Sequence, residues 1–179
     1  MLSEENSLIL VIDIQDKLVN ALEKDVIVKN AAKIVSAGNI LNIPIVLTEQ
    51  YPKGLGNTVD LIKSIIPADS KIIEKTCFNA LQEENFLEKI SEYGKKQIVI
   101  MGIETHICVY QTALALLEKG FEVYVIKDAC ASRKKYEFKQ GIEAMRDNGV
   151  KISCVEIALF EWLKSAKHPK FKEIQALIK

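Results

Sequence analysis

The sequence is short of several things, and each scarcity excludes something. It has four cysteines, Cys77, Cys108, Cys130 and Cys154, widely spaced and with no C-x-x-C pair. A disulfide framework is therefore not expected, and a reducing cytoplasm is the expected compartment. The two histidines, His106 and His168, lie far apart with no zinc-binding spacing, so no metal or other cofactor is expected from them. No charge of either sign is in excess, with 24 Lys plus Arg against 24 Asp plus Glu. No basic run is interleaved with aromatics either, so neither nucleic acid nor a membrane surface is an expected partner. No apolar run approaches the roughly 20 residues that a membrane helix needs. The opening "MLSEENSLILVIDIQ" carries an acidic lead where a signal peptide has a basic one. There is no internal repeat, low-complexity tract or linker, and residues 1–179 read as a single domain long enough to bury a proper core.

What the chain does have is alternation. Short β-branched runs at Leu8–Ile14, Pro44–Thr48, Lys71–Glu74, Gln97–Gly102, Glu122–Lys127 and Lys151–Cys154 read as strands. Several, such as "LILVIDI", "QIVIMG" and "EVYVIKD", are apolar almost throughout, as parallel strands covered on both faces are. Helical patterns fall between them at Asp25–Leu41, Ala80–Tyr93, His106–Lys119, Lys135–Asn148 and Val155–Ser165. Gly94, Gly120 and Gly149 suit helix C-termini. This order predicts an α/β fold, a three-layer α/β/α sandwich on a mainly parallel, six-stranded Rossmann-like sheet. The least regular stretch is 49–69, which suggests an active-site loop. The tail "AKHPKFKEIQALIK" predicts a short extra helix near Pro169, packed on the body or on a neighbouring subunit.

Ligands of open α/β sheets bind at the carboxyl ends of the strands. Those ends deliver Asp13 and Gln15 from the first strand, Thr48 to Tyr51 from the second, and Glu74 to Cys77 from the third. The fourth delivers Glu104, Thr105, His106 and Cys108. A carboxylate, an ammonium and a thiol thus emerge at one sheet edge. Singly, each has a plain reading: Asp13 as a solvated or capping carboxylate, Lys75 as a surface cation, Cys108 as a small core residue. Together they make a coherent nucleophilic site. Cys108 sits just inside a helix start, where the dipole is expected to lower its pKa, and a carboxylate could take its proton.

The segments "LILVIDIQDKL", "EKTCFNA" and "VIMGIETHICVYQTALALLEKGFEVYVIKDACASR" resemble three signatures of the isochorismatase-like cysteine hydrolases. "VLTEQYPKGLGNTV" and "HPKFKEI" resemble the subgroup named for isochorismatase domain-containing proteins, and the match runs through nearly the whole chain in order. The resemblance implies a catalytic triad of Asp13 as general base, Lys75 as thiolate stabiliser and Cys108 as nucleophile. It implies a cis peptide at Ile103–Glu104 and an oxyanion hole made by the backbone amides of Glu104 and Cys108. Position alone suggests Gln15, Glu49, Tyr51, Phe78 and Tyr110 as substrate-pocket residues. The expected activity is hydrolysis of a small amide or related carbonyl compound through a covalent thioester. A homo-oligomer (dimer, tetramer or larger) is also implied.

The chain departs from relatives of that superfamily in two places. Isochorismatase proper, which hydrolyses a vinyl ether, lacks the cysteine, so Cys108 argues against that activity. Nicotinamidases bind a metal through an Asp-x-His pair and further histidines after the second strand, whereas "TEQYPKGLGNT" has none. The expected enzyme is therefore metal-independent. His106 reads as a structural or pocket residue, since neighbours in a first helical turn face different ways. Cys77, two positions from Lys75, is a candidate for an oxidative disulfide with Cys108, whereas Cys130 and Cys154 read as core. The alternative to an enzyme is a catalytically silent binding or scaffold protein of the same fold.

Overall fold

The computed structural model describes residues 1–22 and 26–179. Six strands form one sheet, β1 (Ser7–Ile12), β2 (Ile45–Gln50), β3 (Lys71–Lys75), β4 (Gln97–Ile103), β5 (Glu122–Ala131) and β6 (Lys151–Ser153), in the order β3-β2-β1-β4-β5-β6. Every neighbouring pair is parallel. The strand order reverses between β1 and β4, which places the switch point of the sheet at the ends of these two strands.

Burial follows position in the sheet. All residues of β1 and β4 are buried, in keeping with helices on both faces, whereas edge strand β3 alternates. The main helices are α2 (Val26–Leu41), α6 (Tyr110–Glu118), α7 (Lys135–Asp147) and α8 (Val155–Leu163). Short ones are α1 (Asp16–Asn20), α3 (Pro52–Leu55), α4 (Asp60–Lys63), α5 (Phe86–Ser91) and α9 (Phe171–Ala176). Asp25, expected to start the helix that runs to Leu41, lies outside the described residues. Trp162 of α8 is fully buried and donates to Ser7 Oγ of β1 at 2.9 Å, tying the last long helix to the first strand. The tail helix α9 packs on the body, with Ile174 buried and Phe171 edge-on to Phe160. No helix among the described residues is long and apolar enough to cross a membrane.

Three expectations change in detail. The helix anticipated over 80–93 is a 3₁₀ turn at Ala80–Gln82 followed by α5, because Glu83 turns its carboxylate away to accept the amides of Thr76 and Cys77. Asn85, at φ 59°, then breaks the run. The stretch 49–69 is more regular than its composition suggests, since β2 runs on to Gln50 and α3 and α4 follow. The first strand ends at Ile12, short of Asp13, which takes a left-handed φ of 53°.

Gly102 explains how tightly the two central strands meet. Its φ is 143°, and a Cβ there would lie 2.0 Å from the carbonyl oxygen of Ile12. Only glycine permits that approach, which sets the loop after β4 directly beside the end of β1.

Candidate active site

Asp13 leaves β1 into the space above the sheet. Thr48 Oγ1 donates to its Oδ1 at 2.6 Å, and its own amide donates to the Thr48 carbonyl. Its Oδ2 lies 2.7 Å from Lys75 Nζ, with both side chains wholly shielded from solvent. Oδ2 accepts no well-aligned hydrogen bond within this contact, so lone-pair density is left for another proton. Burying an ammonium costs several kcal/mol unless its protons are satisfied. Lys75 meets that demand with Asp13, with Gln50 Oε1 at 2.6 Å, and with the Cys77 carbonyl at 3.2 Å.

Cys108 comes from the loop after β4. The peptide between Ile103 and Glu104 is cis, and the residues Thr105–Val109 form a turn of π-helix before α6 begins. Such turns recur at functional sites because they redirect a side chain within a helix. The carbonyl of Glu104 accepts the amides of Ile107 and Val109. The thiol is buried and feels the charges of both Asp13 and Lys75. Burial pushes its pKa up to about 12; the Asp13 carboxylate adds to the rise and Lys75 opposes it. The expectation of a thiol lowered by the helix dipole is therefore corrected. Lys75 is already neutralised by Asp13, so a thiolate in the resting site would add an unbalanced negative charge in a dry environment.

The suggested pocket residues divide. Gln15 is fully buried; its amide donates to the carbonyls of Gln50 and Gly56, and its Oε1 accepts the Gln50 amide. Glu49 is buried too, and its Oε1 accepts the amide and hydroxyl of Thr58. These two side chains staple the loop after β2, a role the sequence expectation did not include. Tyr51 and Phe78 are exposed and Tyr110 half-buried, so all three reach solvent. Cys77 presents its carbonyl to Lys75, while its amide donates to Glu83 Oε1 at 2.7 Å. Cys130 is buried, as expected, whereas Cys154 is only half-buried, at the start of α8.

Sequence reasoning placed Thr48 and Gln50 at the end of the second strand but gave neither a role. Gln50 is anchored by Nε2 to the Thr76 carbonyl at 2.8 Å and offers Oε1 to the ammonium, while Thr48 holds the carboxylate. Both lie in "TEQ" at the end of β2, beside β1 on one flank and β3 on the other. A polar pair closing an apolar strand between two strands that each deliver a charged residue was the available signal.

A model of the isochorismatase domain matches residues 7–157. The chain belongs to the isochorismatase family. It is 39% identical to isochorismatase domain-containing protein 2 of Xenopus laevis over 99% of this chain and 85% of that one. It is 37% identical to the 2A protein of the same name in Mus musculus, over 98% of this chain and 84% of the relative. Among solved structures it is similar to the MAR1 ribonuclease of Caenorhabditis elegans, with a TM-score of 0.93 and 32% identity, covering 99% of this chain and 91% of that one. This isochorismatase-family protein thus has the family's hydrolase fold, an all-parallel six-stranded sheet flanked by helices.

Proposed function

We propose that the protein is a metal-independent cysteine hydrolase that cleaves a small amide or related carbonyl compound through a thioester on Cys108. The observation that carries this reading is the solvent-free Asp13–Lys75 ion pair, with the buried Cys108 thiol near enough for both charges to act on its pKa. A scaffold has no use for a buried ion pair around a buried thiol, because such pairs contribute little stability.

In the proposed sequence, Cys108 Sγ attacks the carbonyl carbon as its proton passes to Asp13 Oδ2. The transfer adds no charge to the site, since a neutral Asp13 and a thiolate–Lys75 pair replace a neutral thiol and an Asp13–Lys75 pair. The amides of Glu104 and Cys108 hold the tetrahedral oxyanion, each such donor commonly worth about 3 kcal/mol in the transition state. Collapse breaks the C–N bond, and the amine leaves with the proton from Asp13. Water then attacks the thioester, Asp13 takes its proton, and the acid departs as the thiolate recovers a proton. Gln50 and Thr48 keep ammonium and carboxylate in register throughout. The exposed Tyr51 and Phe78 suit contacts with substrate or with a second copy of the chain.

The ribonuclease description of the nematode protein makes RNA the natural comparison substrate. The balance of 24 basic and 24 acidic residues favours a small neutral compound. The test is hydrolysis of an amide panel and of a labelled RNA by the wild type and by Cys108→Ala, with intact-mass detection of an acyl adduct. Amide turnover and an adduct, both lost in Cys108→Ala, are expected. Turnover unchanged in Cys108→Ala, or RNA cleavage without amide hydrolysis, would overturn the proposal.

A further inference from the structure

On the other side of the nucleophile loop, three donors converge that the hydrolytic scheme does not use. Glu104 Oε2, His106 Nε2 and Glu137 Oε2 all lie within 4.8 Å of one another. His106 Nε2 is 3.6 Å from each of the two oxygens, too far for a hydrogen bond. Donors placed tetrahedrally at about 2.1 Å from a zinc ion are about 3.4 Å apart, so this spacing suits a shared cation better than direct contact.

A second observation points the same way. Glu104 is buried, yet its Oε2 has no hydrogen-bond partner. An orphaned buried carboxylate oxygen is costly and calls for a water or an ion. The surroundings are also those of a prepared site. Arg133 binds the other oxygen, Oε1, of Glu104, and Lys134 Nζ stands 3.7 Å from Oε1 of Glu137. Each carboxylate is thus held by a cation on its outer oxygen and turns the inner one toward His106. The far ring nitrogen of the histidine, Nδ1, meets Ser132 Oγ at 2.9 Å, the kind of partner that orients a metal-bound imidazole. Gly141 lets α7 press against the loop, since a Cβ there would lie 2.9 Å from His106 Cα. Glu137, one turn earlier on α7, is carried to the loop by that contact.

We propose that Glu104, His106 and Glu137 form a binding site for a divalent transition cation of the zinc class, which clamps α7 to the loop that carries Cys108. The donor set, one imidazole and two carboxylates, fits such an ion and leaves a position for water. The cation is a clamp, and no step of the hydrolysis runs through it. The inference does not rest on the hydrolase reading, and it is tested where the active-site thiol is absent.

The experiment is calorimetric titration of Cys108→Ala protein with Zn²⁺ at pH 7.5, with the visible spectrum of the Co²⁺-substituted form and the melting temperature with and without metal. One equivalent is expected to bind and raise the melting temperature. The Co²⁺ bands should lack thiolate charge transfer, and affinity should fall at least about tenfold in Glu137→Gln and in His106→Ala. Circular dichroism checks the fold of both variants, and the Co²⁺ spectrum reads the donor set without any further variant. Absence of stoichiometric binding, a sulfur charge-transfer band, or affinity unchanged in Glu137→Gln would overturn the proposal and leave His106 as an ion-paired structural residue.

Discussion

Two groups of ionisable side chains flank the loop from Glu104 to Cys108, and they are wired in opposite ways. On the β1 side, Asp13 and Lys75 are wholly enclosed, and the ammonium meets three acceptors within 3.2 Å. On the α7 side, His106 and Glu137 are partly open to solvent, and Glu104 keeps an oxygen without a partner. The ion pair of the closed cluster is held from within the chain, by Thr48 on the carboxylate and Gln50 on the ammonium. A desolvated pair serves chemistry because no water competes for its field, whereas a half-open set of donors serves capture.

The sharpest way to break this contrast is to remove one charge from the closed cluster. Asp13→Asn should abolish amide turnover and destabilise the fold by about 3–5 kcal/mol, because it leaves Lys75 buried without its counter-ion. Urea denaturation should show that Asp13→Asn combined with Lys75→Met recovers much of that loss while remaining inactive. Next in size, Gln50→Ala takes one acceptor from Lys75. A fall in kcat of about tenfold and a loss of about 1.5–3 kcal/mol are expected, read by kinetics and by melting.

A subtler test uses pH. The folded protein holds the Cys108 proton more tightly than an ordinary thiol, with a pKa raised from 9.0 to about 12. Between those values the native state binds more of that proton than the unfolded chain, so stability falls as pH rises through the window and is fully present below it. Wild-type urea midpoints should therefore drop more steeply above pH 9 than those of Cys108→Ala. Parallel slopes would place the thiol in an ordinary environment. The smallest effect belongs to the open cluster. Glu137→Gln without metal should change stability by less than about 1 kcal/mol and leave turnover within about threefold, checked by the same two assays.

Much of this was legible in the chain. Apolar runs such as Leu8–Ile14 and Gln97–Gly102 announce strands covered on both faces, and the structure has them buried throughout. Asp13, Lys75 and Cys108 stand out because each interrupts or closes a regular element with a reactive group. Gln15 and Glu49 are harder to read for the same reason: a polar residue at a strand end can face a ligand or staple a loop, and both fates look alike in one dimension. Gln50 and Thr48 were placed at the strand end but given no role, because what they do is hold other side chains.

Composition and periodicity by themselves determined the class of fold and the short set of reactive residues, since burial of apolar runs dictates parallel strands and parallel strands deliver their ends to one edge. Only the tertiary structure decided the surroundings of the Cys108 thiol and the partners of each charge. Those depend on desolvation and on distances of a few ångströms between residues far apart in the chain, such as Asp13 with Lys75 and His106 with Glu137. No local pattern encodes such distances.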